Sequence, residues 1–253
     1  MTTAVLVSGG LDSVVLLADE AARAPDGVRV QPIYIGAGLA WEAAERTSLE
    51  QLLESPLLRG RVRPLLSLSV DMRDVYAASH WAVTGDAPAY HTPDEDVYLP
   101  GRNIILLSKA AVFCAAADIG RIVIGTLDHN PFPDATPEFR ASIARSLSLG
   151  LAHPLEVDAP YAASSKADVI RRGLALGVPF ELTLSCMKPI VRGVPGVPEV
   201  PEVPEVPEVP EVSKLRPVHC GTCSKCRERH DAFVEAGVAD PTAYDSVAFT
   251  SSR

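Results

Sequence analysis

Residues 4–7 form a short apolar run that stops at Ser8-Gly9-Gly10, and from Leu11 the apolar positions Val14, Val15, Leu16 and Ala18 suit a helix laid on a sheet. A strand that turns through two glycines into a helix constrains the whole chain once the pattern recurs, because a parallel neighbour is reached only through a crossover. It does recur. Residues 28–35 predict a second strand, followed by a glycine-containing loop at 36–38 and an alanine- and glutamate-rich helix over 41–54; residues 62–70 predict a third strand. After a polar stretch with few periodic signals, 104–117 predicts a buried helix and 122–125 a core strand. Helices over 136–149 and 166–176 flank a strand-like stretch around Leu155 and Val157. The expected architecture is a parallel α/β sheet.

The chain changes character at Val194. From there to Val212 a Val-Pro-Gly/Glu triplet repeats, with proline at every third place from Pro195 to Pro210. Proline removes an amide donor and presets φ, so the repeat predicts a surface insert in polyproline II or disorder. The formal net charge is −9, but five of the acids (Glu199, Glu202, Glu205, Glu208 and Glu211) lie in the repeat, which leaves the rest only mildly acidic. Such a balance disfavours a chain-wide nucleic-acid surface. With 47% hydrophobic and 22% charged residues the body can bury a sizeable core. No run of eighteen apolar residues occurs, and residues 1–7 lack the basic flank and apolar length of a signal peptide, so a soluble, cytoplasmic protein without membrane contact is expected.

Ser8-Gly9-Gly10-Leu11-Asp12-Ser13 carries the strongest local chemistry. Adjacent glycines let backbone approach an anion, while serine hydroxyls and the first free helix amides aim donors at it. The loop follows neither GxxxxGKS, having no such lysine, nor GxGxxG. It resembles the pyrophosphate-binding loop of the PP-loop ATP pyrophosphatase superfamily, whose members cleave ATP between the α and β phosphates and adenylate a substrate oxygen. The resemblance implies a nucleotide site at Val7, Ser8, Gly9, Gly10, Leu11, Asp12 and Ser13. Asp12, odd beside an anion, makes sense if Mg2+ bridges it to the phosphates.

Cys220, Cys223 and Cys226 form a CxxCxxC run in HCGTCSKC, and Cys186 lies upstream in LTLSC. Four soft ligands suit tetrahedral zinc, and a closed four-thiolate shell suits a structural ion. A redox CxxC pair and an iron–sulfur cluster are the alternatives, and His219 could replace a cysteine. The repeat takes up more than half of the segment between Cys186 and Cys220, so it interrupts an otherwise compact site. Cys114, within FCAAA, reads as a small buried hydrophobe.

SGGLDS, LPGRN at 99–103, FPDATPEF at 132–139, SKAD around Lys166, and Cys186 with HCGTCSKC together resemble the 7-cyano-7-deazaguanine synthase family. The resemblance implies a doubly wound parallel sheet (residues 1–185) with a zinc-bearing C-terminal region (residues 186–253, interrupted by the insert at 194–212), commonly as a homodimer. It also implies conversion of 7-carboxy-7-deazaguanine and ammonia, at the expense of ATP, to the nitrile used for queuosine and related deazapurines. Asp12, Lys166 and Arg102 are then the catalytic candidates, and Gly101, Asn130, Phe132 and Asp134 the substrate-binding ones. Tyr34 and Trp41 could stack on a ring or pack in the core. The family usually carries glutamine, arginine and histidine in a loop after the second strand, where this chain reads Tyr34-Ile35-Gly36-Ala37-Gly38-Leu39-Ala40-Trp41-Glu42, leaving Tyr34, a glycine and Glu42 or Glu45 as counterparts. Edge loops set specificity, so the departure bears on the substrate more than on ATP chemistry. Competing readings are another PP-loop adenylation, on a different carboxylate or on tRNA, and a zinc-stabilised ATP-binding module whose repeat docks a partner.

Overall fold

The computed structural model describes residues 2–192 and 216–247. The repeat at 194–212 lies outside the described residues. Five parallel strands, β1 (Thr3–Leu6), β2 (Gln31–Gly36), β3 (Leu66–Ser69), β4 (Arg121–Val123) and β5 (Glu156–Asp158), form one sheet in the order β3-β2-β1-β4-β5. The helices are α1 (Leu11–Arg23), α2 (Glu42–Leu53), the short α3 (Trp81–Thr84), α4 (Arg102–Ala116), α5 (Pro137–Leu151), α6 (Lys166–Leu176) and α7 (Ser224–Ala236). The alternation read from periodicity is thus the observed one. Its strand ends differ: Val30 and Val62 make only an isolated bridge, and regular pairing of β3 begins at Leu66, beyond Pro64, which has no amide to give a ladder.

Successive β residues face opposite sides, and the core divides accordingly. Val5 joins α1, Leu49 and Leu52 of α2, Val169 and Ile170 of α6, and Phe233 of α7 on one side. Ala4, Ile33, Ile35 and Ile122 join Leu107, Ala110, Ala111 and Cys114 of α4 on the other, with α5 packed outside. Helices cover both faces, so the sheet is doubly wound. α6 opens on a capping box between Ser165 and Asp168 and approaches α1 through Gly173, where an added Cβ would lie 2.7 Å from a Val15 methyl.

The strand order reverses beside β1: the chain goes outward to β2 and β3, then returns to β4 on the other flank. Such a switch point opens a crevice at the carboxyl ends of the strands, where this architecture binds ligands. Ser8 to Gly10 follow β1 there, and Gly125 and Thr126 follow β4.

Two antiparallel strands, β6 (Ile190–Arg192) and β7 (Arg216–Val218), pair Ile190 with Val218 and Arg192 with Arg216. They explain how Cys186 and Cys220 meet across so long a segment: the chain on either side of the repeat is zipped together. Helix α7 was concealed in the sequence by its cysteines and charges. Cys223 is its N-cap, Gly237 ends it in the left-handed conformation, and Phe233 packs edge-on against Phe180. Among the described residues no helix is long and apolar enough to cross a membrane.

Candidate active site

Gly9 is the turn on which the site depends. Its φ is +76°, where L side chains are strained, and an added Cβ would stand 3.0 Å from the Glu45 carbonyl oxygen. The loop is braced locally: the Ser8 amide donates to Ser13 Oγ at 3.2 Å, and Ser13 Oγ donates to the Gly10 carbonyl at 3.0 Å. From outside, the Leu184 amide donates to the Gly9 carbonyl at 2.8 Å, and the Leu11 amide reaches Ser185 Oγ at 3.4 Å. The Leu11 side chain itself is core.

Two adjoining cavities, of about 220 Å³ and 390 Å³, share Ser8, Gly10, Asp12, Glu45, Arg102, Asn103, Gly125 and Thr126. The smaller has apolar walls from Leu6, Ile33, Ile35, Leu106 and Ile124. The larger runs on to Trp41, Trp81, Tyr98, Phe132, Lys166, Lys225 and Glu228. Three buried polar atoms on the walls common to both cavities have no hydrogen-bond partner among the described residues: Asp12 Oδ1, Arg102 Nε and Thr126 Oγ1. Buried polar atoms are ordinarily satisfied, so three orphans around one cavity mark a site that expects a polar ligand.

Lys166 opens α6 and lies 3.1 Å from Asp12 Oδ2; it also pairs with Glu228 Oε1. Burial opposes its charge, but the two carboxylates outweigh burial and hold its pKa above the ordinary lysine value. Glu228, which burial alone would raise, is lowered to about 2 by Lys166 and Lys225. Glu45 is different. It accepts from Tyr34 Oη at 3.1 Å, and burial raises it to about 8 against the partial opposition of Arg102. A carboxyl group able to stay protonated at neutral pH therefore borders both cavities.

The predicted residues are gathered unequally. Asp12, Lys166, Arg102, Asn130, Phe132 and Asp134 all line the larger cavity. Phe132 stacks on Tyr98 with ring centroids 5.0 Å apart, and Asn130 Oδ1 accepts from the Phe132 amide at 3.0 Å. Asp134 is 4% exposed and directs both carboxylate oxygens to Asn103, accepting from its backbone amide at 3.0 Å and so capping α4. Gly101 lines neither cavity; its φ of +76° makes the turn that starts α4. Trp41 packs in the core, its ring stacked on Trp81 with centroids 5.7 Å apart, and it also borders the larger cavity. In the altered loop, Glu42 accepts from the Ala37 and Gly38 amides, which leaves Glu45 to face the cavities. Glu228, Lys225, Thr126 and Trp81 were missed. The first two lie on α7, whose helical periodicity the cysteines and charges mask.

The four cysteines Cys186, Cys220, Cys223 and Cys226 are buried and free, with every sulfur within 4.8 Å of the others. Sulfur–sulfur separations of 3.5, 3.8 and 4.0 Å bracket the roughly 3.8 Å edge of a tetrahedron with Zn–S bonds of about 2.3 Å. Amides of Lys188, Cys220 and Thr222 donate to Cys186 and Cys220 sulfurs, as thiolates require. The donor set fits one soft metal ion. Beside it Arg229 is 1% exposed and donates to Thr183 Oγ1 at 2.8 Å, the Phe180 carbonyl at 2.9 Å and Thr242 Oγ1 at 2.6 Å, tying α7 to the segment that braces the glycine loop.

A parallel α/β sheet with a glycine turn at its switch point, and unpartnered polar atoms facing a cavity of mixed charge, places the molecule among doubly wound α/β proteins with a polar-ligand site at the carboxyl edge of the sheet. The family model for the queuosine biosynthesis protein QueC matches residues 2–237, and the chain belongs to that family, an ATP-dependent ligase by class. A 7-cyano-7-deazaguanine synthase of Syntrophobacter fumaroxidans is 31% identical over 252 residues, covering 95% of this chain and 94% of that protein. The synthase of Magnetococcus marinus is 31% identical over 257 residues, covering 96% and 97%. A solved 4-thiouridine synthetase in complex with RNA and bound ATP is similar with a TM-score of 0.41 and 14% identity, covering 74% of this chain and 45% of that one.

Proposed function

We propose that the protein is a 7-cyano-7-deazaguanine synthase that makes its nitrile by adenylation. The observation that carries this reading is the gathering of Asp12, Lys166 and Arg102 with the glycine loop around one cavity, in a chain of this family. A carboxylate oxygen of 7-carboxy-7-deazaguanine attacks the α phosphate of ATP, and pyrophosphate leaves toward Ser8 to Ser13. Ammonia displaces AMP to give an amide; adenylation of the amide oxygen and loss of a second AMP give the nitrile. Backbone amides at the start of α1 and the Lys166 ammonium meet the charge that collects on the leaving pyrophosphate. Arg102, whose Nε is unpartnered, would grip a phosphoryl group through two N–H donors. Asp12, with Oδ1 unpartnered, would hold Mg2+, which would neutralise phosphate charge. In the same reading the four cysteines hold a structural zinc ion with no open position.

The wider cavity suits a flat, polar ring: Trp41, Trp81 and the Tyr98–Phe132 stack supply faces, and Asn130 an edge. Purified protein given ATP, ammonia and 7-carboxy-7-deazaguanine should yield the nitrile by mass spectrometry, with AMP formed only when the carboxylate is present. AMP formation that requires tRNA instead would overturn the reading.

A further inference from the structure

Four charges of alternating sign cross the floor of the larger cavity, Asp12, Lys166, Glu228 and Lys225. The first pair comes from α1 and α6, the second from α7. Glu228 uses both oxygens: Oε1 pairs with Lys166, and Oε2 takes Lys225 Nζ at 2.5 Å. Lys166 and Glu228 are only 15% and 25% exposed, so the contact is poorly screened. Asp12, the other partner of Lys166, has an oxygen reserved for a ligand, and a cation drawn there weakens its hold on the ammonium. A lysine left with one weakened anchor spreads over the rotamers of its four-carbon stem.

Resting on the role of Lys166 in the proposed reaction, we infer that Glu228 is a positioning residue that keeps the Lys166 ammonium aligned on the departing pyrophosphate throughout turnover. The cysteine-bearing helix thereby sets a reacting group of the nucleotide site. The pair is not needed merely to join α6 to α7. Arg171 donates to the Glu235 carbonyl at 3.0 Å, and Val169, Ile170, Ala232 and Phe233 share one core.

Glu228→Gln keeps the size and removes the charge. Its kcat should fall about tenfold while the KM for ATP changes less than about twofold, with melting and bound metal unchanged. In a Lys166→Ala background the same change should add no further loss, because its effect passes through that lysine. Glu228→Asp should recover part of kcat. Wild-type kcat in Glu228→Gln, alongside a Lys166→Ala enzyme that has lost turnover, overturns the positioning role and leaves the ligase reading standing. Losses that multiply in the double variant also overturn it. Full turnover by Lys166→Ala removes the role of Lys166, and the inference with it. Should Glu228→Gln melt early, the comparison passes to Glu228→Asp: no loss on shortening the side chain, or no dependence of that loss on Lys166, counts against the inference.

Discussion

The glycine loop and the cysteine knot are neighbours that share one stretch of chain. Leu184 and Ser185 bond to the loop, and Cys186 is the first sulfur of the knot. Yet they are finished differently. The knot is closed, with four buried sulfurs facing one another and amides donating to them. The loop leaves Asp12 Oδ1, Arg102 Nε and Thr126 Oγ1 unsatisfied beside a cavity. A group that stays for the life of the fold can satisfy its ligands permanently, whereas a substrate that comes and goes must find polar atoms waiting. The difference separates what holds this molecule together from what it works on.

The comparison breaks most visibly at the knot. Cys223→Ala, or chelation of a metal held by the four cysteines, should lower stability on the order of 5 kcal/mol, since metal binding at such a site is part of the folding free energy. Elemental analysis with thermal melting checks it, and an apo protein of unchanged melting temperature would make the knot dispensable. At the loop the larger effect should fall on activity. Arg102→Lys should reduce kcat about a hundredfold with melting unchanged, because a point charge cannot reproduce the guanidinium fork. Gly9→Ala should cost about 1–2 kcal/mol for the positive φ and the close Glu45 carbonyl, and abolish nucleotide uptake measured by calorimetry while the metal stays bound.

The same contrast can be sharpened through pH. Glu45 rises from 4.5 to about 8 on folding, so between those values the native state holds a proton that the unfolded chain has released. The contribution of Glu45 to stability is therefore fully present below about pH 4.5 and is lost as pH rises toward 8, by up to ~1.4 kcal/mol per pH unit. Glu45→Gln should remove that slope in denaturant titrations from pH 5 to 8. A slope unchanged by the substitution would show that Glu45 is ionised in the native state.

The order of strands and helices was legible because burial on a parallel sheet enforces periodicity, as in residues 4–18 and 166–176. The loop and the cysteines were legible because few chemistries need those residues at that spacing. Residues 71–100 were not. They fold as irregular chain around α3 and one 3-10 turn at Asp94–Val97, buried through contacts such as Trp41 on Trp81 that no local pattern announces. Glu228 was hidden for a related reason: its partner Lys166 lies on a different helix, far away in sequence. The loop at 36–42 showed what it lacked, but only the fold reveals that Glu42 is occupied by backbone amides and that Glu45 faces the cavities.

In the proposed reaction a carboxylate is activated by attack on the α phosphate while the glycine loop receives pyrophosphate. Turnover of 7-carboxy-7-deazaguanine labelled with 18O in its carboxylate tests it directly. The account predicts label in AMP, none in pyrophosphate, and an unlabelled nitrile. Label in orthophosphate, with ADP as the nucleotide product, would contradict it.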